Sequence, residues 1–160
     1  MMRVGPNPHP LAGNLPTRGS GDPGDLVGEW TLTRRLVDRR AGQFGRAYGT
    51  LTIAPAGPDL RWSEVAELHW AGHIVPVTRN LHITRIEGEW WTTFTDGRPF
   101  HPWRLDEPVV HPCAADTYRG RLTLAGDELR VLWDVTGPTK QQRIITTHRR
   151  LSPASGHKTP

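Results

Sequence analysis

Alternation of apolar and polar residues with a period of two recurs from residue 27 to residue 151, in segments enriched in β-branched and aromatic side chains. Gly, Pro and Asp turn signals break these segments at short intervals. The two observations predict an all-β fold of about eight strands. Eight consecutive antiparallel strands close most simply into an up-and-down barrel, which removes exposed edges and can hold one small ligand. A two-sheet sandwich is the alternative, but it would fill its interior with hydrophobes and leave inward-facing charges unexplained.

Residues 1–25 hold five Pro and five Gly and almost no apolar periodicity, so they are expected to form a tail, as is 152–160; the folded domain is expected over 26–151. Strands are expected near 27–38, 46–54, 59–69, 73–84, 89–96, 116–125, 128–136 and 142–151. The short links Trp70-Ala71-Gly72, Ile86-Glu87-Gly88 and Ala125-Gly126-Asp127 suit antiparallel hairpins. Between the fifth and sixth strands, 99–115 contains Pro99, Pro102, Pro108 and Pro112, too many for a helix or a central strand. It is expected to be a long loop across one barrel mouth, with Trp103 as a lid.

Composition narrows the function classes. The formal charge is +4, of which the expected tails carry Arg3, Arg18 and Lys158 against Asp22 and Asp25, leaving +3 on the body. The basic residues occur only as doublets such as Arg34-Arg35, Arg39-Arg40 and Arg149-Arg150, whose members alternation sends to opposite faces. With no groove-reading helix or RNA-binding motif, nucleic acid is not an expected partner. No apolar run is long enough for a signal peptide core or a membrane span, and Cys113 is the only cysteine. A cytoplasmic protein is expected.

The informative pattern is a set of ionisable residues in register with apolar strand faces. Arg34 shares a face with Trp30, Leu32 and Leu36, and Glu64 with Leu60, Trp62, Ala66 and Leu68. By the same parity Arg79 stands between Val77 and Leu81, Asp96 and Arg98 beyond Trp90 and Phe94, Asp116 beside Tyr118 and Leu122, and Arg149 between Thr147 and Leu151. Buried charges cost several kcal/mol each unless paired, so this set is either a mutual network or a ligand site. Trp30, Trp62, Trp90 and Trp133 are expected on the inner face, as core or as stacking surfaces.

From Asp96 to Tyr118 the chain reads DGRPFHPWRLDEPVVHPCAADTY, gathering Asp96, Arg98, His101, His111, Cys113, Asp116 and Tyr118. With Leu26, Gly28, Trp30, Arg34, Asp38, Gly49, Glu64, Trp133, Gly137, Pro138 and Lys140, this pattern resembles the uncharacterised domain-of-unknown-function family six-three-one-four across nearly all of 26–150. The resemblance implies a lipocalin-like, or calycin, barrel with a site around these motifs, and no reaction. The chain departs from the family pattern after Lys140, where Gln141-Gln142 replaces an acidic-aromatic pair.

Three chemistries suit these residues. A metal or haem could be held by His101, His111 and Cys113, although the spacing matches no strong zinc or haem signature, and no cofactor is expected. Cys113 could act as a thiolate beside His111, Arg98 or Lys140, against the plainer reading of a small buried side chain. Asp96 or Asp116 as base, His101 as acid and Arg98 as oxyanion partner would make a cofactor-independent isomerase, cyclase or lyase. The leading expectation is binding: a small polar or anionic organic molecule held by Arg34, Glu64, Arg79, Arg98, His111, Cys113, Tyr118, Lys140 and Arg149. Inward arginines outnumber inward acids four to three, which favours an anionic group on the ligand.

Overall fold

A computed structural model of the chain describes residues 21–152. A short 3-10 turn (Pro23–Leu26) leads into ten strands: β1 (Gly28–Asp38), β2 (Gln43–Ala56), β3 (Asp59–Trp70), β4 (His73–Ile86), β5 (Glu89–Phe94), β6 (Pro99–Pro102), β7 (Pro108–Cys113), β8 (Asp116–Ala125), β9 (Glu128–Thr136) and β10 (Gln141–Arg150). They form one antiparallel sheet in the order β6-β5-β4-β3-β2-β1-β10-β9-β8-β7, so β1 pairs with both β2 and β10. The sheet rolls until its edges meet, with Phe100 of β6 and His111 of β7 only 4.9 Å apart between ring centroids. The result is a nearly closed barrel. At the tight links Ala71-Gly72 and Glu87-Gly88 both residues have positive φ, which matches the right-handed twist of the flanking strands.

All eight expected strands are present, and the count is corrected to ten. Residues 99–115 do not form a loop across a mouth. They supply β6 and β7, the two edges of the sheet, where a strand side without a partner makes the missing proline N–H harmless. Trp103 is accordingly not a lid: it is 6% exposed and packs in the core.

One end of the barrel is closed by side chains. Trp30, Ile53, Leu60, Ile83 and Leu129 fill it, and the 3-10 turn plugs it with Pro23 and Leu26. Trp30 Nε1 donates to the Leu26 carbonyl at 3.0 Å, and Asp22 caps the turn by accepting from the Gly24 amide. Residues 22–25, part of the expected N-terminal tail, therefore belong to this structured turn. The remainder of that tail, 1–20, and 153–160 lie outside the described residues.

Candidate functional site

The other half of the barrel encloses a cavity of about 190 Å³. Its wall is mostly apolar and aromatic, with contributions from Leu36, Trp62, Leu68, Val77, Leu81, Phe100, Trp103, Tyr118, Leu122, Val131, Trp133 and Ile144. Alternation on β1, β3, β4 and β10 sends Arg34, Glu64, Arg79, Thr146 and His148 into the same space. A few polar groups converging in an apolar hollow are the usual composition of a small-molecule site. Gly120 on β8 shapes the wall, because a Cβ there would lie 2.5 Å from the Trp133 ring; only glycine lets that indole lie across the strand.

Glu64 is the electrostatic centre, at 4% exposure. Its Oε2 accepts from Arg34 Nη2 at 2.6 Å and its Oε1 from Trp62 Nε1 at 3.0 Å, while Arg34 Nε donates to Thr146 Oγ1 at 2.8 Å. Burial works to raise the Glu64 pKa, but the charges of Arg34 and Arg79 and these two hydrogen bonds hold it below the ordinary glutamate value. Arg34 and Glu64 are thus satisfied by each other. Arg79 is different: it lies opposite Glu64 in the β3–β4 register, yet no hydrogen-bond acceptor or ion-pair partner meets its guanidinium among the described residues. The group sits half-buried, 5.2 Å from the Phe100 ring centroid. Burial and Arg34 push its pKa down while Glu64 supports it, and a guanidinium stays protonated under any such shift at neutral pH.

Two buried histidines complete the polar set. His101 Nδ1 lies 2.8 Å from the Pro102 carbonyl, which can only accept, so Nδ1 carries the proton of the neutral ring and Nε2 is a bare acceptor. Burial, opposed by the Pro102 bond, brings the His101 pKa down to about 4. His148 is fully buried, its ring set edge-on to Trp62 at 5.4 Å, and burial lowers its pKa to about 4 despite the nearby Glu64 carboxylate. Neither histidine carries charge near pH 7. Thr92 Oγ1 and Trp103 Nε1 are buried with no hydrogen-bond partner among the described residues, while the His148 ring has only the Thr31 backbone beside it, short of good hydrogen-bond geometry; all three residues line this cavity. Buried polar atoms are rarely left unpaired without a reason.

The expected site residues divide. Arg34, Glu64, Arg79, His101 and Tyr118 meet in the cavity. Asp96 and Arg98 do not: β5 ends at Phe94, and the two form an exposed turn pair at 2.7 Å, with the Asp96 pKa lowered chiefly by the Arg98 backbone amide. Arg149 is 73% exposed and pairs with Glu128 at 3.3 Å. The inward face of β10 is instead Ile144, Thr146 and His148, one residue out of the expected register, as its pairing with Arg34 and Leu32 of β1 requires. Asp116 sits at the rim, 3.1 Å from Lys140, and the Lys140 pKa is raised by that contact. Cys113 is exposed at the end of β7. His111 packs against Phe94, Phe100 and Tyr118 without lining the cavity; burial lowers its pKa. Among the described residues no three His, Cys, Asp or Glu side chains gather to hold a metal, so the alternative metal set of His101, His111 and Cys113 is not brought together. Of the tryptophans expected inside, Trp30, Trp62 and Trp133 are buried and Trp90 is partly buried against the core. His148, Thr146, Thr92 and Phe100 are the cavity residues that parity alone missed.

An antiparallel ten-stranded meander rolled around a polar-centred cavity places the described residues among the nearly closed up-and-down β-barrels. Within that class the chain belongs to the family of unknown function DUF6314, whose model matches residues 26–150. No curated protein matches it. Among solved structures it is similar to a Schistosoma mansoni fatty acid binding protein in complex with arachidonic acid, at 13% identity over 79% of this chain and 96% of that chain, with a TM-score of 0.35. No helix among the described residues is long and apolar enough to cross a membrane.

Proposed function

We propose that the barrel binds a small organic molecule bearing one anionic group, held in the cavity with that group against Arg79. The observation that carries this reading is the unpaired guanidinium. Two arginines face one carboxylate in the cavity wall, and the carboxylate is already committed to Arg34 at 2.6 Å, so Arg79 is left without an acceptor inside an apolar enclosure. A partly buried guanidinium that Glu64 supports only through space, with no hydrogen-bond acceptor of its own, is costly, and an incoming carboxylate or comparable oxyanion offsets that cost with charge-assisted hydrogen bonds. The buried polar atoms of Thr92 and Trp103 add further unmet capacity around the same space.

The acid–base alternative loses two of its parts in this geometry. Asp96 is on the surface and Asp116 is paired with Lys140 at the rim, which leaves His101 as the only one of the three expected acid–base groups that lines the cavity. Small-molecule binding is therefore the function that this geometry supports best. Its test is native mass spectrometry of the full chain purified from its own host, together with titration of the stripped protein with 8-anilinonaphthalene-1-sulfonate. A retained anionic small molecule, or fluorophore binding lost in Arg79→Met and kept in Arg79→Lys, supports the proposal. Binding indifferent to both substitutions refutes it.

A further inference from the structure

Resting on that reading, we infer that the ligand is a flat aromatic monocarboxylate that also carries a hydroxyl or amino hydrogen-bond donor. The charge follows from the wall. With Arg34 and Glu64 paired and both histidines neutral, the cavity holds one uncompensated positive charge. A monoanion cancels it, a neutral ligand leaves Arg79 unmatched, and a dianion introduces a second charge with no cation to meet it.

The flat body follows from the walls. Trp62, Phe100, Trp103, Tyr118 and Trp133 supply ring faces and edges, and aromatic contacts of this kind favour a planar unsaturated guest over a flexible chain. The volume of about 190 Å³ exceeds the ~150 Å³ of an apolar cavity known to take up benzene. One substituted ring fits.

The donor follows from His101. Its Nδ1 proton is committed to the Pro102 carbonyl, so the nitrogen it offers the cavity is Nε2, an acceptor with no donor to meet it among the described residues. A ligand hydroxyl or N–H can complete that pair in place of water. The separation of the two anchors has an upper limit. The Arg79 guanidinium carbon lies 5.2 Å from the Phe100 ring centroid and the His101 ring lies 4.8 Å from the same ring, so the two polar anchors are no more than about 10 Å apart. A single benzene ring with a substituent at each side, plus a hydrogen bond of ~3 Å at either end, covers that distance.

The test is a calorimetric panel at pH 7.5 on the full chain: benzoate, the hydroxybenzoate and aminobenzoate isomers, benzamide, phenyl phosphate and hexanoate. The expected order places at least one hydroxy- or aminobenzoate about 2- to 10-fold tighter than benzoate, the gain of one neutral hydrogen bond. Benzoate should exceed benzamide by ~10-fold or more, since hydrogen bonds to charged groups are worth more. It should also exceed phenyl phosphate and hexanoate. In His101→Phe the ratio of hydroxy- or aminobenzoate affinity to benzoate affinity, both measured in that variant, should fall to about one, and in Arg79→Met the preference for benzoate over benzamide should vanish. The unmodified chain decides the matter even where a variant fails to fold. Arg79-dependent binding with no gain from any donor, or with hexanoate equal to benzoate, overturns this inference and leaves the anion site standing. Failure of every probe to bind overturns both.

Discussion

Replacing Glu64 with Gln keeps the shape of the cavity centre and removes its only negative charge. Arg34 then loses the partner at 2.6 Å, and two guanidiniums share an enclosure that Glu64 had balanced. Removing one member of a buried pair typically costs about 3–5 kcal/mol. Here Arg34 is 16% exposed and can recruit some water, so the lower end applies, ~3 kcal/mol. For a domain of this size that corresponds to a fall in Tm of roughly 10 °C. Binding should move the other way: benzoate affinity should rise, because the cavity charge increases by one. Removing the pair as a unit, in Arg34→Met with Glu64→Leu, should recover most of the stability, less about 1 kcal/mol for the Trp62 Nε1 left without its acceptor. Urea unfolding followed by tryptophan fluorescence at pH 7.5, with calorimetry of benzoate binding, measures all three. A Glu64→Gln protein within about 0.5 kcal/mol of the parent, or a double variant less stable than the single one, would show that the pair is not held in a low-dielectric site.

The pH dependence has a definite sign. His101 and His148 titrate at about 4 in the folded chain against 6.5 when free, so the unfolded chain binds protons first and stability falls as pH drops from 6.5 towards 4. The loss reaches up to ~3 kcal/mol per histidine below pH 4, the lowered Glu64 pKa adds to it below 4.5, and a flat urea midpoint between pH 7.5 and 5 would refute the burial of these rings. Gly120→Ala places a methyl against Trp133 and should cost about 1–3 kcal/mol while shifting the tryptophan emission; an unchanged spectrum and stability would mean that the indole is free to move. Arg98→Met should leave Tm and benzoate affinity unchanged, since its pairing with Asp96 is an exposed turn contact, and a loss of anion binding would return Arg98 to the site.

Parity along a strand is a local property, and it placed eight strands near their observed limits. What it could not carry is position within the sheet. Pro99, Pro102, Pro108 and Pro112 argue against a strand only if the strand has two partners; β6 and β7 each have one, and that follows from how the sheet closes. The Pro-rich stretch thus hid two strands and, with them, Phe100 and His101 as wall residues rather than residues of a loop across the mouth. Strand ends were equally opaque. Asp96 and Arg98 continue the alternation of Trp90 and Phe94 on paper, but the turn bonds from Gly97 N to the Phe94 carbonyl and from Phe94 N to the Arg98 carbonyl end the ladder there.

Where an ionisable residue stood between apolar neighbours on an uninterrupted strand, the sequence sufficed. Arg34 lies between Leu32 and Leu36, Glu64 between Trp62 and Ala66, and Arg79 between Val77 and Leu81; all three line the cavity. On β10 the local pattern is degenerate, because Ile144-Ile145 and Thr146-Thr147 offer both parities, and only the pairing with β1 selects His148 over Arg149. The expected surplus of inward arginines nevertheless survives these corrections, for a physical reason. Each charge that left the interior found a partner outside it, Arg98 with Asp96, Arg149 with Glu128 and Asp116 with Lys140, so two arginines and two acids were subtracted together. Arg34 and Glu64 remain as a mutual pair, and Arg79 remains as the cavity cation with no protein acceptor among the described residues. The excess positive charge therefore has a single address, which makes Arg79, more than any residue of the Asp96–Tyr118 motif, the side chain on which the proposed anion recognition turns.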